Sequence, residues 1–239
     1  MKPSKWSYNF NPHIKSLGQV DYAATERAMR EFTTRRIEKN QNQNQNQNDT
    51  DNTPDEIWIL EHPPVFTLGK HADPNHFLIP PAQITPQIPI IQTDRGGQVT
   101  YHGPGQLIIY FLLDLKKLNI GPKILVCNIE KSIIKLLKKD FNIPAELKAN
   151  APGVYVFGEK IASIGLRIKN GCSYHGLSLN INMDLKPFGY INPCGYSDLK
   201  MTTLANVLNN LNLARLDSLN IAKKIISYFS EYCLACSSA

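Results

Sequence analysis

The sequence predicts an α+β fold, a mixed α/β arrangement in which helices pack on a largely antiparallel or mixed sheet. Three observations predict it. Apolar residues recur at both the helical and the strand period, helices and strands alternate irregularly, and turn residues separate short apolar runs often enough to imply frequent hairpins. A chain of 239 residues, 42% hydrophobic, can bury a sizeable core. That length fits one large domain or two small ones.

The first element is a helix over about residues 20–39, where Tyr22, Ala24, Ala28, Met29 and Phe32 fall at helical spacing. NQNQNQNQNDTDNTPDE (40–56) then breaks the pattern. So polar and repetitive a tract cannot bury enough apolar surface to order itself, and a disordered insertion is expected at about 40–54. In IWILEHPPVFTLG a buried run, Ile57 to Leu60, meets a Pro-Pro break and a second short strand. IPIIQT (88–93) and LIIYFLL (107–113) read as further strands. Over 123–141 the apolar positions Ile129, Ile133, Ile134, Leu137 and Phe141 predict a helix. GVYVFGEKIASIGLRI (153–168) predicts a hairpin with Gly158-Glu159 at its bend, and GLSLNINM (176–183) alternates as a strand. The last forty or so residues supply one or two helices.

Composition narrows the function. The formal charge of +6 is not arranged as a Lys/Arg stripe interleaved with aromatics, which argues against nucleic acid. The densest basic clusters, KLLKKD and ARLDSLNIAKK, lie on amphipathic helices, as on a solvated surface or one that attracts acidic proteins. No stretch approaches the roughly 18 apolar residues of a membrane span, and MKPSKWSYNFNPH lacks a signal-peptide core, so a cytoplasmic location is expected. Five scattered cysteines favour reduced thiols over a disulfide framework. Cys233 and Cys236 have C-x-x-C spacing, but a zinc site needs two further ligands nearby, and no metal is expected.

Chemistry concentrates in three places. RGGQVTYHGPGQLIIYFLL (95–113) sets a glycine-rich loop directly before a buried strand. Such a loop lets a ligand approach main-chain N–H groups, while Arg95, Thr100, Tyr101 and His102 offer donors. It matches neither phosphate-loop pattern. SYHGLSLNI (173–181) repeats the order His, Gly, buried strand. In FGYINPCGYSD (188–198), Cys194 lies in a turn between Pro193 and Gly195, unlike a buried structural cysteine, and the Gly195 N–H is expected to be open as an oxyanion donor. A nucleophilic cysteine needs a base or cation; His102, His175 and Lys160 are the candidates, Lys160 being desolvated in an apolar hairpin.

RGGQVTYHGPGQL, GEKIASIGLRI, SYHGLSLNI and INPCGY, in this order and spacing, resemble the lipoate–protein ligase B family, octanoyl-[acyl-carrier-protein]:protein N-octanoyltransferases. LEHPPVFTLG (60–69) and VDYAATERAM fit the same family, and the resemblance covers about residues 17–210. It implies the biotin/lipoate ligase catalytic fold, a mixed sheet flanked by helices, and on this resemblance residues 1–239 are read as a single domain. It implies acyl transfer without a cofactor, from octanoyl-acyl carrier protein to a lysine of lipoyl domains, such as those of 2-oxoacid dehydrogenases and the glycine cleavage H protein. Carried over residue by residue, Cys194 becomes the nucleophile that forms a thioester and Lys160 its activating base. The substrate-binding stretches become Arg95, Gly96, Gly97, Gln98, Val99, Thr100, Tyr101 and His102; Ser163, Ile164 and Gly165; and Gly176, Leu177 and Ser178. Ser178 stands where the family usually has alanine, and Cys172 matches no family position. Rival readings are an ATP-dependent lipoate or biotin ligase of the same fold, a Cys/His hydrolase and a non-catalytic binding module. The INPCG motif favours the transferase over the ligase, and the presence of both Cys194 and Lys160 disfavours the module.

Overall fold

The computed structural model describes residues 10–43, 53–84, 87–149, 151–196, 198–208 and 216–237. Its elements are β1 (His13–Gln19), α1 (Tyr22–Gln43), β2 (Glu56–Glu61), β3 (Val65–Leu68), β4 (Ile90–Gln92), β5 (Val99–His102), β6 (Gln106–Leu112), α2 (Pro122–Phe141), β7 (Glu146–Lys148), β8 (Ala151–Val156), β9 (Glu159–Lys169), β10 (Cys172–Asn180), α3 (Leu204–Val207) and α4 (Ser218–Ser237). Seven strands form one sheet in the order β1-β2-β6-β10-β9-β8-β7, and three form a second in the order β4-β3-β5. Pairing is antiparallel except between β1 and β2 and between β3 and β4, so the sheets are mixed, as the sequence predicts.

Strand β6 shows why both faces of the large sheet are covered. All seven of its residues are buried. Leu107, Ile109 and Phe111 join a core with Ile129 and Ile133 of α2 and Ile225 and Phe229 of α4. Ile108, Tyr110 and Leu112 point the other way, onto Met29 and Phe32 of α1. A two-residue period thus feeds two helical layers. The small sheet has its own core, where Phe66, Val99 and Tyr101 meet Phe188 and Ile191.

The ends of the elements follow local chemistry. Asp21 caps α1, its carboxylate accepting from the Ala24 N–H at 2.8 Å. Pro122 opens α2, and Asn142 closes it in a left-handed conformation at φ 55°. The β8–β9 bend falls at Phe157-Gly158, φ 50° and 83°, one residue before the expected position. Asn170-Gly171, φ 51° and 87°, joins β9 to β10 in the positive-φ geometry that suits the twist of a hairpin.

Helix α1 runs through Gln43, four residues into the polar tract that was expected to lack structure. Buried side chains hold that end. Arg36 donates to the Leu112 carbonyl at 2.8 Å and to the Pro54 carbonyl, and Asn40 donates to Asp114 at 2.7 Å. Residues 44–52, the rest of the tract expected to be disordered, lie outside the described residues. Among the described residues no helix is long and apolar enough to cross a membrane.

Candidate active site

The glycine-rich loop is a short connector folded around its own arginine, not an arm displaying one. Arg95 is 8% exposed. Its guanidinium donates to the Thr67 hydroxyl at 2.8 and 3.2 Å and to the carbonyls of Thr67, Gln98 and Gly96 at 2.6, 2.9 and 2.9 Å. The loop thereby closes onto β3, and its Gly96 N–H reaches the Leu166 carbonyl of β9 at 3.0 Å. Gly165 makes this contact fit, since a Cβ there would lie 3.2 Å from the Gly96 oxygen.

Between this loop, β9, β10 and the start of α1 lies a cleft of about 490 Å³, part of it open to solvent. The three predicted stretches converge on it. Every residue of Arg95–Thr100, Ser163–Gly165 and Gly176–Ser178 lines it, as does His102. Tyr101 does not, because strand alternation turns it into the second core, its ring 5.4 Å from Phe66 and 5.6 Å from Phe188. A wider neighbouring cleft shares Gly96, Gly97, Ile164 and Gly165 with the first and continues past Pro152 and Val126 to Tyr196.

The inner wall is polar and fully bonded. His62 places one ring nitrogen 2.7 Å from the Val20 carbonyl and the other 2.8 Å from the Tyr110 hydroxyl. The carbonyl requires an N–H, and with burial disfavouring a charged ring the second nitrogen accepts from the Tyr110 hydroxyl. His102 places Nδ1 2.7 Å from the side-chain amide oxygen of Gln106, and Tyr22 stacks on its ring at 5.8 Å. Burial pushes His62 down to about 4 and His102, which also feels His62 and Arg95, to about 3. His175, in a left-handed conformation at φ 59°, bonds Asp94 at 3.1 Å. Burial opposes the charge on Asp94, but hydrogen bonds from His175 and Tyr174 and the charge of Arg30 outweigh it and hold the carboxyl at about 2. Tyr22 and Tyr110 also line the cleft. In the sequence they look like ordinary apolar positions of a helix and a strand.

Lys160 is buried, at 1% exposure. Its stem passes over Gly153, where a Cβ would fall 2.4 Å from the lysine Cε and 3.2 Å from its Nζ. The amine lies 5.6 Å from the centre of the Tyr155 ring. The Lys160 backbone is gripped from the other side, its N–H donating to the Lys200 carbonyl at 2.8 Å and its carbonyl accepting from the Thr202 N–H at 2.9 Å.

This second grip matters because Cys194 lies upstream on the same segment. Pro193–Gly195 forms one 3-10 turn. A Cβ on Gly195 would meet Gln98 of the cleft and His76, each at 3.2 Å, which sets the turn against the loop of Arg95. The chain then returns to β9 at residues 200–202. The Cys194 side chain, and with it the expected contact between sulfur and amine, lies outside the described residues. One expectation is corrected. The Gly195 N–H is not an open donor, because it closes the turn on the Asn192 carbonyl at 2.9 Å. A relay of buried groups joins the two regions. His102 bonds Gln106, Gln106 donates to Asn180 at 2.9 Å, and Asn180 donates to the Thr202 carbonyl at 2.9 Å.

The lipoyl protein ligase A/B catalytic domain family matches residues 34–229 and gives the class of the protein. Solved structures of low identity share its fold. A lipoate-protein ligase A bound with ATP has a TM-score of 0.65 at 11% identity and covers 93% of this chain and 85% of its own. A biotin protein ligase from Aquifex aeolicus, with biotin and ATP, has a TM-score of 0.57 at 15% identity and covers 92% and 70%. Closer in sequence is the octanoyltransferase of Dechloromonas aromatica, 54% identical over 80% of this chain and 83% of that protein. The octanoyltransferase of Laribacter hongkongensis is 50% identical over 90% and 93%. The chain belongs to the octanoyltransferase family, a family of acyltransferases.

Proposed function

We propose that this chain moves an octanoyl group from the thioester of an acyl carrier protein to a lysine of lipoyl domains, including those of 2-oxoacid dehydrogenases and the glycine cleavage H protein, by way of a thioester on Cys194. In this reading residues 1–239 act as one catalytic domain in the cytoplasm, with the Asn/Gln tract as an insertion. The observation that carries it is the buried Lys160, bound through its backbone to the segment that follows the Cys194 turn and carried on β9, whose Ser163–Gly165 stretch lines the cleft with the Arg95 loop and Leu177.

The chemistry balances with these groups. Lys160 takes the Cys194 proton, and the thiolate attacks the octanoyl carbonyl. A new C–S bond forms, the bond to the donor sulfur breaks, and the departing thiolate recovers the proton from Lys160. One thioester replaces another, so no activation by ATP is called for. The acceptor amine then attacks the acyl-enzyme. A C–N bond forms, the bond to Cys194 breaks, and the amine's proton returns through Lys160 to the thiolate. The apolar part of the cleft takes the acyl chain, and a chain of net charge +6 draws acidic partners toward it.

The test is intact mass after mixing with octanoyl-acyl carrier protein. The protein should gain one octanoyl group, and Cys194→Ser should gain none while keeping its circular dichroism. An adduct that persists on a thiol of Cys194→Ser, or one that forms only with ATP, overturns the reading.

A further inference from the structure

Helix α2 carries lysines at 123, 131, 135, 138 and 139, and between them a single acid, Glu130, turned toward the sheet. Glu130 follows Ile129, which is wholly buried in the core. Its carboxylate accepts from the Gly153 N–H at 3.3 Å. Gly153 is also the residue over whose bare Cα the Lys160 stem passes, Nζ lying 3.2 Å from where a Cβ would stand. The carboxylate and the amine therefore both approach one glycine, whose φ of 132° also favours the absence of a side chain.

We propose that Glu130 is a positioning residue for Lys160. It rests on the reading of Lys160 as the base for Cys194. A lysine stem has four rotatable bonds, and a half-buried carboxylate beside the same glycine favours one of the orientations open to it. Once Lys160 has taken the thiol proton, the same carboxylate stabilises the ammonium.

The surrounding charges fit this assignment. Burial raises the Glu130 carboxyl, while the Gly153 N–H and the Lys160 charge draw it back down. The amine of Lys160 faces the Tyr155 ring of β8, and Lys148 of β7 sits 4.6 Å from the same ring. On α4, which packs against α2, Glu231 pairs with Lys135 at 2.5 Å and Lys224 with Asp140 at 2.5 Å, so these groups are engaged with one another.

The experiment is single-turnover acylation by octanoyl-acyl carrier protein as a function of pH, in wild type, Glu130→Gln, Glu130→Asp and Lys160→Ala. A carboxylate favours the ammonium, so its removal should move the alkaline limb down by about one pH unit. Glu130→Gln should also slow acylation about tenfold with KM for the donor unchanged, and Glu130→Asp, which keeps the charge, should return the limb toward wild type. Glutamine retains a carbonyl for the Gly153 N–H, and a thermal melt checks folding. If the limb is unmoved in Glu130→Gln, or displaced equally in Glu130→Asp, Glu130 does not act on Lys160. If Lys160→Ala acylates normally, the assignment of the base fails; if Lys160→Ala is inactive and Glu130→Gln behaves as wild type, only the assignment of Glu130 fails.

Discussion

The polar wall around His62 and His102 and the polar seam around Lys160 are both buried, yet they follow opposite plans. In the wall, the two histidines are kept uncharged: both imidazoles are held far below their ordinary range, and each ring nitrogen of His62 has a partner. In the seam, charge is prepared for: a lysine amine and a glutamate carboxyl approach one glycine inside the protein. A low-dielectric site strengthens whatever electrostatic arrangement it contains. The same burial therefore holds the imidazoles of one region neutral and makes the other a place where a proton can move. That contrast separates Lys160 from His102 and His175 as candidate bases better than their distances in sequence do.

The largest effect should come from Lys160. Lys160→Arg is expected to fail nearly as badly as Lys160→Ala, by about a hundredfold or more in acyl transfer, because arginine keeps the charge but does not accept a proton near neutral pH. Full transfer by the arginine variant would reduce the lysine to a bystander charge and break the contrast. Alkylation of Cys194 by iodoacetamide across pH sharpens it further, since loss of the base should move thiolate formation to higher pH in Lys160→Ala.

A smaller effect is expected from the wall, in stability. Histidines titrate near 6.5 when unfolded, but His62 and His102 stay neutral in the folded chain down to about 4 and 3. Between those values the unfolded chain binds more protons, so stability falls as pH drops from about 6.5, by up to about 1.4 kcal/mol per unit for each histidine. Asp94, held at about 2, adds acid sensitivity only below its ordinary 3.8. Urea midpoints at pH 7 and pH 5 should differ in wild type and differ less in His102→Gln; equal differences would mean that the wall takes up protons without unfolding.

The smallest effect belongs to the Asn/Gln tract. Deleting residues 44–52 should leave turnover within about twofold, since loop length enters closure entropy only logarithmically. A large fall would show that the tract touches a partner or the cleft.

Much of this was legible in the sequence, for reasons that differ by element. The buried runs of β2 and β6 and the apolar stripe of α2 announce themselves by period. The three stretches around the cleft are marked by glycine and histidine placed before buried strands. Strand β1 escaped because all seven of its residues are exposed and carry no alternating signal. Strand β5 escaped because it sits inside the loop motif, which hid the small sheet. Asn170-Gly171 is a strong hairpin signal that was passed over. Tyr22, Tyr110 and Asp94 have no local signature, and only the fold brings them to one wall. Glu130 could have been noticed as the one acid among the lysines of α2, but its approach to the site of Lys160 depends on a bulge between β8 and β9 that no spacing rule foretells.

Helix α1 has Tyr22 of the cleft at one end, and at the other Arg36 clasps the Pro54 carbonyl, so both strands of chain leaving the repetitive tract are fastened at the same remote corner. A helix of 22 residues spans about 33 Å. It works as a boom that sets the two fastening points of the insertion a helix length from Tyr22 of the cleft. A label spliced between residues 43 and 53 should therefore enter and leave the chain at that corner.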